Sequence, residues 1–153
     1  MAATESQASL AVFLHGSNDH GALCLPLHVG CEVPTRLLAL RSQFLRTGCA
    51  GLGWTAVATG DGGFFAWGSG ELPAALHGAP EGTCALVCGP QHAYALTDEG
   101  EVHTWEYHTQ ALLLEPQKVM LPIEVGQLAC GDGHVLALAD GGIVFSWGCG
   151  VEG

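Results

Sequence analysis

Short apolar runs alternate along this chain with breaks rich in glycine and aspartate, and the pattern returns at a near-fixed interval. Trp54-Thr55-Ala56-Val57-Ala58 and Phe64-Phe65-Ala66-Trp67 flank Gly60-Asp61-Gly62-Gly63. His92-Ala93-Tyr94-Ala95-Leu96 and Val102-His103-Thr104-Trp105 flank Asp98-Glu99-Gly100. His134-Val135-Leu136-Ala137-Leu138 and Val144-Phe145-Ser146-Trp147 flank Asp140-Gly141-Gly142. In each copy 13 residues separate the Trp or His that opens the first run from the Trp that ends the second, so the three align without a gap. Two apolar, β-branched or aromatic runs around a turn of this composition predict a β-hairpin, with glycine supplying positive φ where a Cβ would be strained.

The ending recurs a fourth time, as Phe13-Leu14-His15-Gly16-Ser17. The third positions of the four endings, His15, Trp67, Trp105 and Trp147, then lie 52, 38 and 42 residues apart. A period of that size predicts a tandem-repeat architecture, and tryptophans at strand ends would stack between successive layers. Between copies, Leu72-Pro73-Ala74-Ala75-Leu76 and Val119-Met120-Leu121-Pro122-Ile123-Glu124-Val125 suit outer strands, where proline does least harm to a ladder. The expected fold is all-β: up to four short antiparallel strands per unit, the layout of a propeller blade.

Cys130-Gly131-Asp132-Gly133-His134-Val135-Leu136-Ala137-Leu138, followed by Ile143-Val144-Phe145-Ser146-Trp147-Gly148, resembles the regulator-of-chromosome-condensation repeat. His15-Gly16-Ser17-Asn18-Asp19-His20-Gly21-Ala22-Leu23 resembles that repeat's later part. The similarity runs from about Leu10 onward, leaving residues 1–9 as a flexible N-terminus and 10–153 as repeats. It implies a partial propeller of about three to four blades, part of a seven-bladed ring and hence the N-terminal portion of a longer chain. The signature positions carried over are Trp54, Trp67, His92, Trp105, Cys130, Gly131, His134, Trp147 and Gly148. The resemblance also implies that His92 and His134 are packed and bonded to nearby backbone, that His15 fills a structural tryptophan slot, and that Cys130 lies on a buried strand. Departures are Trp54 where histidine is usual, Glu106 after Trp105 where glycine is usual, and shortened spacings.

With 48% hydrophobic and 12% charged residues, the chain is too apolar for a disordered one. It has no apolar run of about 18 residues for a membrane helix, and no basic stretch ahead of Leu10–Leu14 for a secretory signal. Seven cysteines without regular spacing are expected to be reduced thiols of a cytoplasmic or nuclear protein. Fifteen acidic against four basic residues, net −11, exclude nucleic acid as a partner for this segment and favour a basic protein surface.

The eight histidines form no metal-like or triad-like spacing, and Gly60-Asp61-Gly62-Gly63 joins two strands rather than opening a phosphate-binding helix. No catalytic residue, cofactor or metal site is expected. The reading is therefore a non-enzymatic scaffold or adaptor that binds another protein through propeller faces. The alternative, implied by the family resemblance, is guanine-nucleotide exchange on a Ras-like small GTPase. Photoreception by clustered tryptophans, as in plant receptors that share this propeller, is discounted because those receptors rely on many arginines and this chain has three.

Overall fold

A computed structural model describes residues 12–25, 29–38, 40, 44–68, 74–75, 78–90, 92–106 and 115–148. These residues form four antiparallel sheets that follow one another in chain order. The first pairs β1 (Phe13–Gly16) with β2 (Cys31–Arg36). The second runs β3 (Leu45–Gly51), β4 (Trp54–Thr59), β5 (Phe64–Gly68) and β6 (Ala74–Ala75). The third repeats that order with β7 (Thr83–Cys88), β8 (His92–Thr97), β9 (Val102–Glu106) and β10 (Gln117–Val119). The fourth holds β11 (Val125–Cys130), β12 (His134–Ala139) and β13 (Val144–Gly148). No helix among the described residues is long and apolar enough to cross a membrane.

The three predicted hairpins are β4–β5, β8–β9 and β12–β13, in one register. Trp54 faces Gly68, His92 faces Glu106 and His134 faces Gly148. Their turns close with the same bond, from Thr59 N–H to Gly63 C=O at 2.8 Å, Thr97 to Glu101 at 3.0 Å and Ala139 to Ile143 at 2.8 Å. One glycine position recurs in all three: Gly62, Gly100 and Gly142 have φ of 86°, 78° and 81°. A side chain there would be strained whatever the space around it.

The outer strands differ from expectation. β10 ends at Val119, and Pro122 lies in the connection to β11 rather than in a strand. An outer strand has nothing beyond it to pair with, so its length is set by the match to β9, and only Gln117–Val119 find partners, in Thr104–Val102. In the corresponding part of the second sheet, Ala74 and Ala75 pair with Ala66 and Phe65; Leu72, Pro73 and Leu76 lie outside the described residues.

Alternate side chains of a strand point to opposite faces, and here both faces are used. We call forward the face carrying Trp54, Ala56, Ala58 and Phe64, and rear the face carrying Val57 and Trp67. The forward face of the second sheet packs on Ala93, Ala95 and Trp105 from the rear of the third. The forward face of the third (Tyr94, Leu96, Val102) packs on Val135 and Ala137 from the rear of the fourth. The rear of the second receives Leu37, Leu40 and Leu14 from the first sheet and its connections. Small residues oppose small ones across the second interface, close enough that Phe64 stacks on Trp105 with ring centroids 4.7 Å apart and planes within 9°.

The indoles tie sheets to one another. Trp54 Nε1 donates to Gly89 C=O of the third sheet at 3.0 Å. Trp67 Nε1 and the Thr55 hydroxyl both donate to Ala22 C=O, at 2.8 and 2.9 Å, holding the β1–β2 connection against the second sheet. Trp105 is as deeply buried, but its Nε1 finds no acceptor among the described residues.

Candidate functional site

The two ends of the sheets differ in chemistry. At one end stand the turns inside each hairpin and the connections that lead into the next sheet. Asp61 comes from the second sheet, Asp98, Glu99 and Glu101 from the third, and Asp140 from the fourth. Glu81 and Glu124 join them from the connections, which are stitched to the turns by Asp98 N–H to Gly82 C=O (3.0 Å) and Asp140 N–H to Glu124 C=O (3.3 Å). All seven are exposed except Glu101, which is half-buried. Shallow clefts run between them, one lined by Arg46, Thr59–Gly62 and Ala79–Thr83, the other by Asp98–Val102, Lys118, Val119 and Leu121–Glu124.

Two of these carboxylates, Asp61 and Glu101, are favoured in their ionised form. The Thr59 hydroxyl donates to Asp61 and, with backbone N–H groups of the turn, keeps its carboxyl below the ordinary range. Glu101 is lowered too, first by Lys118 and then by His103, whose Nε2 lies 3.3 Å away. Arg46 reaches Asp98 at 3.7 Å. Among the described residues both cations at this end, Arg46 and Lys118, are thus already engaged.

The opposite end carries a cleft between the third and fourth sheets, bordered by Gly89, Pro90, His92, Tyr94, Cys130 and Gly131–His134. Here the signature positions diverge. Trp54 is fully buried, whereas His92 is only half-covered, 3.7 Å from Glu106 Oε1, and His134 is exposed. This corrects the expectation of two packed histidines. The His92 ring lies beside Glu106 of its own sheet, where the longer Trp54 indole reaches across to Gly89 of the next, and among the described residues no sheet packs in front of His134. His15 is likewise exposed rather than seated in a core slot. Gly148 has φ of 143°, and a Cβ there would run into the Gly133 carbonyl. A Cβ on Gly131 would press on the His134 ring at 3.2 Å. Trp67 and Trp105 are buried, and Trp147 is half-buried with its edge toward Tyr94. No group of His, Cys, Asp or Glu among the described residues could hold a metal ion.

The model of the regulator of chromosome condensation (RCC1) repeat matches residues 126–153. Human and mouse E3 ubiquitin-protein ligase HERC2 are each 33% identical over 110 residues, which is 61% of this chain and 2% of those proteins. The solved structure of human WBSCR16 superposes with a TM-score of 0.73 at 23% identity, covering 92% of this chain and 43% of that one. Yeast RCC1 (Prp20), solved bound to Kap60, gives 0.69 at 17% identity over 90% of this chain and 38% of its own. Residues 126–153 carry the regulator-of-chromosome-condensation repeat. The four sheets are arranged as the blades of a β-propeller, and the chain spans about 2% of the curated relatives it matches.

Between the blades the cysteines correct a second expectation. Cys49 and Cys88 form a disulfide with Cα atoms 5.7 Å apart; Cys24, Cys31, Cys84 and Cys130 are free, and Cys149 lies outside the described residues. Cys49 pairs with Ala56 and so points forward, while Cys88 pairs with Ala93 and points to the rear. The two therefore meet where β3 and β7 lie side by side. One repeat later the equivalent pair is Val87 and Cys130, packed in the same apolar cluster, and burial raises the Cys130 thiol. Val87→Cys is expected to produce a second disulfide under mild oxidation, read as the loss of two further hydrogens by intact mass. Persistence of a free thiol on Cys130 would mean that the blades are not in equivalent register.

Proposed function

We propose that this chain is a protein-binding module that takes a partner with a basic surface on its acidic end. The observation that carries the reading is the gathering of seven carboxylates from three successive blades at one end, against Arg46 and Lys118 among the described residues, a local balance of seven minus two, or −5. Rigid sheets hold these turns at fixed spacing, and convergent charge over a low-dielectric body speeds and orients the encounter with a cation-rich surface. The same field repels phosphate backbones. Support also comes from the propellers of like fold: Prp20p was solved with an account of its binding to Gsp1p and histones, and yeast RCC1 in complex with Kap60.

The test is capture of size-matched basic and acidic probe proteins on the immobilised chain over a salt series. Basic probes should bind, weaken steeply with salt because the Debye length shrinks to about 8 Å at physiological ionic strength, and be lost with the double variant Asp98→Lys, Glu99→Lys. Equal capture of acidic probes, or indifference to the charge reversal, sinks the reading. Accelerated release of fluorescent nucleotide from a Ran-like GTPase would instead support exchange activity, the other role that this repeat raises.

A further inference from the structure

At the end opposite the carboxylates, two successive blade interfaces are closed differently. Between the second and third blades the Trp54 indole crosses to the third sheet and donates to Gly89 C=O at 3.0 Å. It does so over Gly51, whose missing side chain makes the room: a Cβ there would collide with the ring nitrogen and stand 2.6 Å from the Gly89 oxygen. One interface on, the backbone of that seat recurs. Gly89 stands where Gly51 stood, and the Gly131 oxygen lies 3.4 Å from where a Cβ on Gly89 would be. Gly89 N–H bonds to His92 C=O and Gly131 N–H to His134 C=O, both at 2.8 Å, so the two glycines turn their strands alike. The ring does not recur. His92 holds the position of Trp54, and its imidazole lies 3.7 Å from Glu106 of its own sheet. The three atoms nearest a Cβ on Gly89 are Cys130 Sγ, the Gly131 oxygen and the His92 backbone oxygen, none of them from the imidazole. Between the third and fourth sheets runs a cleft of about 490 Å³, walled by Pro90, Tyr94, Cys130 and Val135.

We propose that this cleft binds an indole ring, whose N–H donates to Gly131 C=O as Trp54 donates to Gly89. The ligand class follows from what the chain itself places in the preceding interface. The acceptor is free to change partner, because the Gly131 oxygen takes its bond from the Cys130 thiol at 3.5 Å, and a thiol is a weaker donor than an indole N–H. Tyr94 offers an aromatic surface and Cys130 a polarisable sulfur, both suited to a flat ring. The volume is that of a small-ligand pocket, apolar walls with a few convergent polar groups. Sheets stand on both sides of it, and it lies away from the acidic clefts, so the inference is independent of the basic-partner reading.

Titration of the full chain with indole, followed by amide NMR, tests this. Saturable shifts should centre on Gly89, His92 and Gly131–His134. 1-Methylindole, the same ring without its donor, should bind about tenfold more weakly, the factor for one hydrogen bond. His92→Trp should fill the cleft from within and abolish indole binding, while His92→Ala leaves the cleft open and retains it. N-Acetyltryptophanamide separates two sources of the ring: binding tighter than indole assigns the site to a tryptophan side chain of a partner, weaker binding to a free small molecule. Absence of saturable shifts, shifts centred on another part of the chain, equal binding of 1-methylindole, or a folded His92→Trp chain that still binds indole would each overturn the proposal. The map on the parent chain decides the matter even where a variant does not fold.

Discussion

Trp54→Ala is expected to lower the free energy of unfolding by about 3–5 kcal/mol, the range for losing a buried aromatic ring and leaving a cavity. The indole has no exposed surface, packs against Ala56 and Leu86 in the cluster between the second and third blades, and donates to Gly89 across that interface. It also lies over Gly51, where a Cβ would collide with the ring nitrogen. Trp54→Phe separates the two contributions. It keeps most of the apolar contact and strands the Gly89 carbonyl, a loss of about 1–3 kcal/mol. Trp147→Ala provides the comparison, because that ring is half-exposed on the fourth blade and should cost clearly less. Urea unfolding followed by far-ultraviolet circular dichroism gives all three values. A Trp54→Ala chain within 1 kcal/mol of the parent would mean that the second and third blades do not depend on this indole.

Ala95→Leu is expected to be nearly as damaging, by the opposite physics. Ala93 and Ala95 on the rear of β8 meet Ala56 and Ala58 on the front of β4, and all four have no exposed surface. Small side chains on both sides set the blade spacing at which Phe64 stacks on Trp105 and Trp54 reaches Gly89. Adding an isobutyl group with no void to receive it costs typically about 1–3 kcal/mol, and here the strain would pass into the blade interface. A second readout follows from the same cause: forcing the blades apart should slow oxidation of Cys49 and Cys88, whose approach depends on that spacing. Ser146→Leu adds similar bulk on the open front of the fourth blade and should leave stability nearly unchanged. If Ala95→Leu were tolerated as well as Ser146→Leu, the interface would be looser than the stacked rings imply.

Much of the fold could be read along the chain because its causes are local. Turn glycines such as Gly62, Gly100 and Gly142 mark where each hairpin reverses, and a fixed spacing of 13 residues keeps every copy in one register. The acidic end was visible as composition but not as a place. Asp61, Asp98, Glu99 and Asp140 read as turn residues, and only the parallel stacking of three hairpins puts them on one surface with Glu81 and Glu124. The packed histidines failed for a reason the repeat pattern cannot carry. Burial of a side chain at the position of Trp54, His92 and His134 depends on its reach and on what stands in front of it.

What the sequence alone determined is the unit: hairpins, their length, their register and the small residues that let them lie close, all fixed by neighbours in the chain. What only the tertiary structure decided is the fate of equivalent positions in different surroundings. Ala-Tyr-Ala-Leu of β8 and Val-Leu-Ala-Leu of β12 are equally apolar, yet the first is buried on both faces and the second on one, because among the described residues a sheet packs on the front of the third and none on the front of the fourth. The Cys49–Cys88 bond belongs to the same class. Nothing along the chain marks two thiols 39 residues apart as partners; a forward-pointing residue of one blade meets a rear-pointing residue of the next because hydrophobic burial drives the sheets together face to face.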